Sequence, residues 1–188
     1  MTLANTLIGI CWFTVVVTWL VTGSAAKTTK LKSEGKAARW MRFCLIGSFL
    51  LCFGIDDLRD LNKVHLFLPN YFIQWLSVAL CITGASFATW ARLVMGKNWA
   101  MPMVVQEQVQ LITSGPYHFV RHPIYAGLCC AMIGSTLTAS ILWATWYSLW
   151  TLYFLYSALM EEKSMLARMP IEYAAYKEKT KMFIPFVL

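Results

Sequence analysis

Long apolar runs separated by short polar segments dominate this chain. About 20 apolar residues in a helix are enough to cross the hydrocarbon core of a bilayer. The last run, of about 37 residues, is long enough for two such helices with a turn near residues 138–140. The pattern therefore predicts an all-α, polytopic membrane protein with about five transmembrane helices. They are expected at residues 3–23, 40–55, 71–95, 124–139 and 141–160.

Composition agrees with this pattern. Of the 188 residues, 59% are hydrophobic and 13% are charged, whereas a soluble domain carries about 25% charged residues. The net charge of +7 would suggest nucleic acid in a soluble protein. Here the basic residues lie beside apolar runs, so membrane topology and anionic lipid explain the charge and no nucleic-acid partner is expected. With no repeats or linkers, residues 1–188 are expected to form a single domain.

Loop charges predict an orientation. The loop after the first run is basic, and the loop after the second run is acidic, with Asp56, Asp57 and Asp60. The positive-inside rule then places the N-terminus outside the cytoplasm and the first loop inside it. Counting onward, the loop over residues 96–123 and the C-terminal segment 161–188 both face the cytosol. The two most polar segments are therefore expected on one face, open to a water-soluble cofactor.

The cysteines give no sign of a metal site. All six lie inside apolar runs, and no CxxC pair or nearby histidine set has zinc spacing. They are interpreted as small buried hydrophobic residues, and neither a disulfide nor a metal is expected.

Polar residues at the start of the fourth run are the first candidates for chemistry. Arg121, His122 and Pro123 stand where a loop becomes an apolar helix, with Tyr117 and Tyr125 on either side. Charge near a bilayer is costly and commonly functional. The alternative is an interfacial anchor, in which the arginine reaches lipid phosphates and the tyrosines join an aromatic belt.

A carboxylate pair follows the fifth run. Glu161 and Glu162 lie among cytosolic lysines and are either ligand acceptors or a solvated helix start paired with Lys163 and Arg168. After them the chain is expected to continue as a helix to residue 169. Pro170 interrupts it, and a second short helix is expected over 171–181.

Together these pieces resemble a known family. The segment GPYHFVRHPIYAG, about 35 apolar residues, the pair EE and then EYAAYKEKTKMFIP are similar to the isoprenylcysteine carboxyl methyltransferase family. The resemblance covers roughly residues 84–188. It implies a membrane enzyme that takes a methyl group from S-adenosylmethionine, with S-adenosylhomocysteine as the product. The cytosolic loop and C-terminal helices would form the cofactor site.

The resemblance also implies roles for individual residues. Arg121 and Lys179 would be catalytic and lie near the substrate, and Asn98 and Trp99 match a substrate-side Asn-Trp. The alternative to a substrate-side role is that Asn98 and Trp99 are only the end of a helix with a tryptophan at the membrane interface. The expected cofactor-binding residues are Tyr117, His122, Pro123, Tyr125, Glu161 and Glu162.

The chain departs from the family pattern at three places. Val109 stands where relatives often carry a histidine, Lys179 where some carry an arginine, and residues 169–170 are Met-Pro in place of Phe-Gly. Lysine offers a point charge where arginine offers a planar fork. The departures concern the substrate more than the cofactor.

The methyl acceptor stays open at this stage. The reaction that the resemblance favours is O-methylation of an isoprenylcysteine carboxylate. The substrate is expected to be a lipophilic or lipidated molecule in the membrane, and no obligate protein partner is expected. Alternatives are N-methylation of a lipid amine and S-methylation of a small hydrophobic thiol. Two rivals are an NADPH-dependent membrane sterol reductase, which shares an Arg-His-x-x-Tyr pattern, and a non-enzymatic scaffold.

Overall fold

A computed structural model describes residues 3–26, 31–34, 63–67, 70–99, 104–106 and 110–184, together with residues 40, 43, 44 and 47. Helices dominate this part of the chain. Their bounds are α1 Leu3–Ala26, α2 Tyr71–Met95, α3 Pro123–Thr136, α4 Ile141–Arg168 and α5 Pro170–Lys179. The helix expected at 40–55 lies mostly outside the described residues.

A short strand pair adds to the helical frame. Strand β1, Leu31–Glu34, pairs antiparallel with β2, Val104–Gln106. The segment after α1 and the segment before α3 therefore lie side by side. The expectation of an all-α protein holds for the helices and omits this pair, because each strand is too short to show an alternating pattern.

Two of the described helices are long and apolar enough to cross a membrane, over Leu3–Gly23 and Tyr71–Asn98. Helix α3 is apolar, but its 14 residues extend only about 21 Å. Large apolar side chains point outward from the long helices, among them Phe13 of α1, Phe72 of α2 and Leu152 of α4. An apolar surface of this extent suits lipid contact rather than water. The other three predicted spans stay predictions.

Helices α2 and α3 pack at very short range through glycine. A Cβ atom on Gly84 would lie 2.5 Å from the Gly127 carbonyl oxygen, and one on Gly127 would lie 2.6 Å from the Ala88 nitrogen. Small residues allow such close backbone approach, which is how helices commonly associate in membranes. Close packing of this kind fixes where α3 begins relative to the end of α2.

The α3–α4 hairpin sets the direction of the site. The turn expected near residues 138–140 lies between Thr136 and Ile141, where the two helices meet. Main-chain pairing of His65 with Ser140 marks this end of the hairpin. Since α3 runs toward the turn and α4 runs back, the start of α3 and the Glu161–Glu162 pair lie at the opposite end.

Candidate functional site

The loop before α3 is held rigidly by its backbone. Gly115 adopts a φ of 60°, a left-handed conformation that glycine tolerates best, and a 3-10 turn follows over Gly115–His118. Pro123 is the first residue of α3, where its missing N–H leaves no hydrogen bond unmade. The loop therefore places Arg121 and His122 at the start of α3 in a fixed orientation.

The C-terminal segment lies alongside this loop. The backbone N–H of Arg121 donates to the Lys181 carbonyl at 2.8 Å, and that of His122 donates to the Met182 carbonyl at 3.1 Å. Val120 and Lys181 form a parallel bridge. Residues 60 or 61 positions apart along the chain thus form one wall, through main-chain bonds that no side-chain motif reveals.

Glu162 is the centre of a buried ion-pair cluster. Its Oε1 accepts a hydrogen bond from Nε of Arg121 at 2.6 Å, and its Oε2 lies 2.9 Å from Nζ of Lys177. The side chains of Arg121 and Glu162 are only 7% and 8% exposed, whereas Lys177 is 45% exposed. Arg121 also donates from Nη1 to the carbonyls of Lys177 and Thr180. The pair therefore joins the loop, α4 and the end of α5.

Charge in this cluster keeps Glu162 ionised. Burial by itself would raise the pKa of its carboxyl, but the adjacent His122 ring, the Lys177 ammonium and the Arg121 guanidinium lower that pKa well below its ordinary value. Ionic hydrogen bonds of this type outweigh desolvation when the carboxylate has several donors. Glu162 is thus a fixed anion in the interior of the site.

Glu161 faces a stack of aromatic rings instead. Tyr125 donates from its hydroxyl to Oε1 of Glu161 at 2.5 Å, and Nδ1 of His122 lies 3.7 Å from Oε2. The rings of His122 and Tyr125 stack with centroids 5.7 Å apart and an interplanar angle of 4°. Phe154 also stacks on Tyr125, with centroids 5.1 Å apart, and Phe183 lies against His122.

One ring nitrogen of this stack is unsatisfied. Nε2 of His122 is buried and makes no hydrogen bond within the described chain; its nearest carboxylate oxygen, on Glu162, is 3.7 Å away. Glu161 is 32% exposed, far more than Glu162. The face made by His122, Tyr125 and Glu161 therefore combines aromatic surface, negative charge and a nitrogen that has no hydrogen-bond partner within the described residues.

Three tyrosines connect the loop with α5. The hydroxyl of Tyr176 donates to the Tyr117 carbonyl at 2.6 Å, and the Tyr117 hydroxyl lies 3.4 Å from the Ala91 carbonyl of α2. Tyr173 packs edge-to-face on Tyr176. Burial raises the pKa of Tyr176 to about 12, partly offset by a hydrogen bond with Thr180 and the nearby Arg121 charge. Burial also raises the pKa of Tyr117 and of Tyr173, so all three phenols are neutral near neutral pH.

The end of α2 completes the site on the other side. Gly96 caps this helix with a φ of 53°, and a 3-10 turn leads to Trp99. The guanidinium of Arg92 lies 4.6 Å from the Trp99 ring centroid, and Asn98 donates to Gln110 at 3.3 Å. Trp99 is partly buried and packs against the same core as the loop.

The family model of the isoprenylcysteine carboxyl methyltransferase (ICMT) family matches residues 75–168, half of the chain. This stretch includes most of α2, the loop, α3 and α4, hence most of the site. The chain belongs to this family. It is therefore a member of a group of membrane methyltransferases, as the sequence motifs imply.

One relative of the chain is named for metal resistance and not for methyl transfer. The nickel-cobalt-cadmium resistance protein NccN of Alcaligenes xylosoxydans xylosoxydans is 29% identical over 113 residues, which are 59% of this chain and 52% of the relative. The chain thus matches about half the length of that relative. Within the described residues, no three His, Cys, Asp or Glu side chains group closely enough to hold a metal ion.

Most of the residues assigned by resemblance to the ICMT family lie together. Residues expected at the cofactor meet where the loop, α3 and α4 converge: Tyr117, His122, Pro123, Tyr125, Glu161 and Glu162. Pro123 contributes to this cluster through its position as the first residue of α3. Asn98 and Trp99 lie at the end of α2, and Val109 is outside the described residues.

The two cations expected at the substrate are arranged differently. Arg121 is engaged by Glu162 and two carbonyls, and Lys179 is exposed at the end of α5. Lys177, which the sequence reasoning passed over, is the lysine that contacts Glu162. The spacing from Tyr173 to Lys177, one helical turn, places both on one face and could have drawn attention to it. No feature of the sequence indicates that Phe183 contacts His122, because its position depends on the main-chain pairing of residues 181–182 with the loop.

Proposed function

We propose that this protein transfers a methyl group from S-adenosylmethionine to a lipophilic acceptor that partitions into the membrane. The observation that carries the proposal is the face formed by His122, Tyr125 and Glu161, beside the ionised Glu162. Family membership supports the reaction class. The loop and the C-terminal segment together provide the walls of the proposed cofactor site.

The residues of this face fit the chemistry of the cofactor. S-adenosylmethionine carries a sulfonium cation together with an ammonium group, hydroxyls and an adenine ring. Aromatic faces attract cations, and the partly exposed Glu161 carboxylate can accept from hydroxyl or ammonium groups. The unpaired Nε2 of His122 offers a hydrogen bond to a polar group of the ligand, since buried nitrogens seldom stay unsatisfied.

When bound, the cofactor would supply an activated methyl carbon on sulfur. His122, Tyr125 and Glu161 would hold the cofactor, which would give this carbon to a lone pair of the acceptor and keep the electron pair of the broken carbon–sulfur bond on sulfur. With a carboxylate acceptor the products are a neutral ester and a neutral thioether, and no proton moves. The protein's contribution is then positioning and exclusion of water.

Arg121 is proposed as a positioning residue, because its guanidinium is already bonded to Glu162 and to carbonyls of the C-terminal segment. Arg121 would hold together the loop and the C-terminal segment, which form the walls of the proposed cofactor site. Lys179, exposed at the end of α5, remains a proposed cation at the water-facing entrance. Trp99 and Asn98 are proposed on the acceptor side, where a lipophilic substrate could enter from the membrane.

Ligand-dependent stability separates this proposal from the reductase alternative. A ligand at about 100 times its Kd stabilises the folded state by roughly 2.7 kcal/mol. S-adenosylhomocysteine should therefore raise the melting temperature of the detergent-solubilised protein at fixed scan rate, while NADPH should not. The variant Glu161→Gln should reduce the shift, and Glu178→Gln, an exposed carboxylate on α5, should not. Stabilisation by NADPH alone would overturn the proposal.

A further inference from the structure

The ammonium of Lys177 shares its carboxylate with a second cation. Nζ of Lys177 lies 2.9 Å from Oε2 of Glu162, while Oε1 of the same carboxylate accepts from Nε of Arg121 at 2.6 Å. The surrounding charges keep Glu162 ionised, as its lowered pKa indicates. Two cations therefore face one anion, which leaves a positive charge without a counterpart inside this cluster.

The two cations differ in what else they bind. Arg121 is 7% exposed and also donates to the carbonyls of Lys177 and Thr180. The side chain of Lys177 is 45% exposed, and its ammonium contacts no second carboxylate within the described residues. An ammonium has three N–H donors, and Glu162 occupies one of them. Lys177 can therefore bind a further anion without breaking a contact that it already makes.

The charges around His122 follow a fixed order. Oε2 of Glu161 lies 3.7 Å from Nδ1 of the ring, and Oε1 of Glu162 lies 3.7 Å from Nε2. Lys177 approaches Glu162 at its other oxygen. From Glu161 across the ring to Lys177, the wall thus changes from negative to positive.

This order suits the amino-acid tail of the cofactor, in which one carbon carries both an ammonium and a carboxylate. Glu161 is 32% exposed and is already the proposed acceptor for an ammonium group. A carboxylate next to that ammonium would be repelled by Glu161 and Glu162 unless a cation lay within reach. Lys177 supplies a cation at the end of this row of charges, on the side open to water.

We propose that the ammonium of Lys177 binds the carboxylate of the cofactor's amino-acid tail. The inference rests on the proposed methyl transfer and names the part of the cofactor that α5 recognises. Helix α5 then selects for the ligand in addition to closing the site. A nucleoside that keeps the amino group and lacks the carboxylate would lose this contact and retain all the others.

The test compares S-adenosylhomocysteine with its decarboxylated analogue, which keeps the nucleoside, the sulfur and the amine. Equilibrium dialysis measures the Kd of each radiolabelled ligand on the detergent-solubilised protein near neutral pH. The parent should bind S-adenosylhomocysteine about tenfold more tightly, the low end of the range for a hydrogen bond to a charged group, because the ammonium is partly exposed.

Lys177→Gln should remove most of this preference by weakening S-adenosylhomocysteine, without weakening the decarboxylated analogue. Lys177→Arg should keep part of it, because the charge remains and its geometry changes. Lys163→Gln removes an exposed cation one position after Glu162 and should keep the full preference, which controls for the general field of the protein.

Two outcomes would overturn the assignment: a parent that binds both ligands equally, or a Lys177→Gln protein that keeps the parent's preference. The first can refute it whether or not the variant folds, which size-exclusion chromatography reports. Failure of the parent to bind either ligand is a different result. It would count against the proposed methyl transfer itself, and the role of Lys177 would fall with it.

Discussion

The hydroxyl of Tyr176 donates a hydrogen bond to the main-chain carbonyl of Tyr117, 59 residues earlier, at 2.6 Å. Both residues are buried. Because the acceptor belongs to the backbone, the bond holds α5 against the loop whatever side chain occupies position 117. It links the helix that carries Lys177 directly to the loop that carries Arg121.

Removing this hydroxyl should loosen the C-terminal segment. Tyr176→Phe leaves a buried carbonyl without its donor, which costs about 1–3 kcal/mol of unfolding free energy. We expect a lower melting temperature and faster hydrogen exchange at the Arg121 and His122 amides. Tyr173→Phe is the control, since that hydroxyl makes no hydrogen bond within the described residues, and equal effects of the two changes would contradict this account.

Replacing the central carboxylate should be more damaging. Glu162→Gln leaves Arg121 and Lys177 without their common anion and should lower the unfolding free energy by about 1.5–3 kcal/mol. The measurement is thermal unfolding in detergent without ligand. Glu172→Gln removes an exposed carboxylate from α5 and should change stability by no more than about 0.5 kcal/mol. A Glu162→Gln protein as stable as the parent would show that the cluster does not support the fold.

Acid should act through the same carboxylate. The pKa of Glu162 is lower in the folded protein than its ordinary 4.5, so below that pH the unfolded state binds more protons than the folded state. The contribution of Glu162 to the free energy of unfolding is fully present above pH 4.5. It declines as the pH falls toward the pKa of Glu162 in the folded protein. Unfolding midpoints measured across this range should fall more steeply for the parent than for Glu162→Gln. Parallel curves would assign the acid sensitivity to other groups.

Helix contact through glycine gives a further prediction. Gly127→Ala would place a methyl group 2.6 Å from backbone atoms of Ala88 and Gly84, so α2 and α3 must move apart. Overpacking of this kind costs about 1–3 kcal/mol, and a shift of α3 would also displace His122, lowering affinity for S-adenosylhomocysteine. Gly9→Ala has no atom within 4 Å of the new methyl and should leave both properties unchanged. An unaffected Gly127→Ala protein would mean that the helices are farther apart than described.

The orientation of the hairpin can be tested by labelling. His65 pairs with the turn between α3 and α4, whereas His118 lies in the loop at the other end of α3. In a cysteine-free background, His65→Cys and His118→Cys should react from opposite sides of sealed vesicles with a reagent that does not cross membranes. The His118 side should be cytosolic, from the positive-inside rule. Labelling from the same side would refute the predicted topology.

The helices were largely predictable because a long apolar run leaves the backbone few choices. In lipid each N–H and C=O must be satisfied within the segment, so length and composition almost determine α1 and α2. The turn after Thr136 was predictable by length alone. The strand pair Leu31–Glu34 with Val104–Gln106 was not, since three or four residues have no readable period.

The site was predictable where residue types imply chemistry, and not where position depends on tertiary contact. Family motifs drew attention to His122, Tyr125 and the glutamate pair, which the structure brings together. They did not say which glutamate is buried; Glu162 is, in contact with the buried Arg121 and with Lys177 of α5.

Pairing of residues 181–182 with 121–122 has a consequence for biosynthesis. The ribosome adds roughly 5–20 residues per second, so several seconds separate synthesis of the loop from synthesis of its partner. In that interval α3 and α4 can enter the membrane while the wall formed by Lys181 and Met182 does not yet exist. Nascent chains halted before residue 180 should therefore insert normally and retain no nucleoside ligand. We therefore expect elongation to separate membrane insertion from the gain of ligand binding.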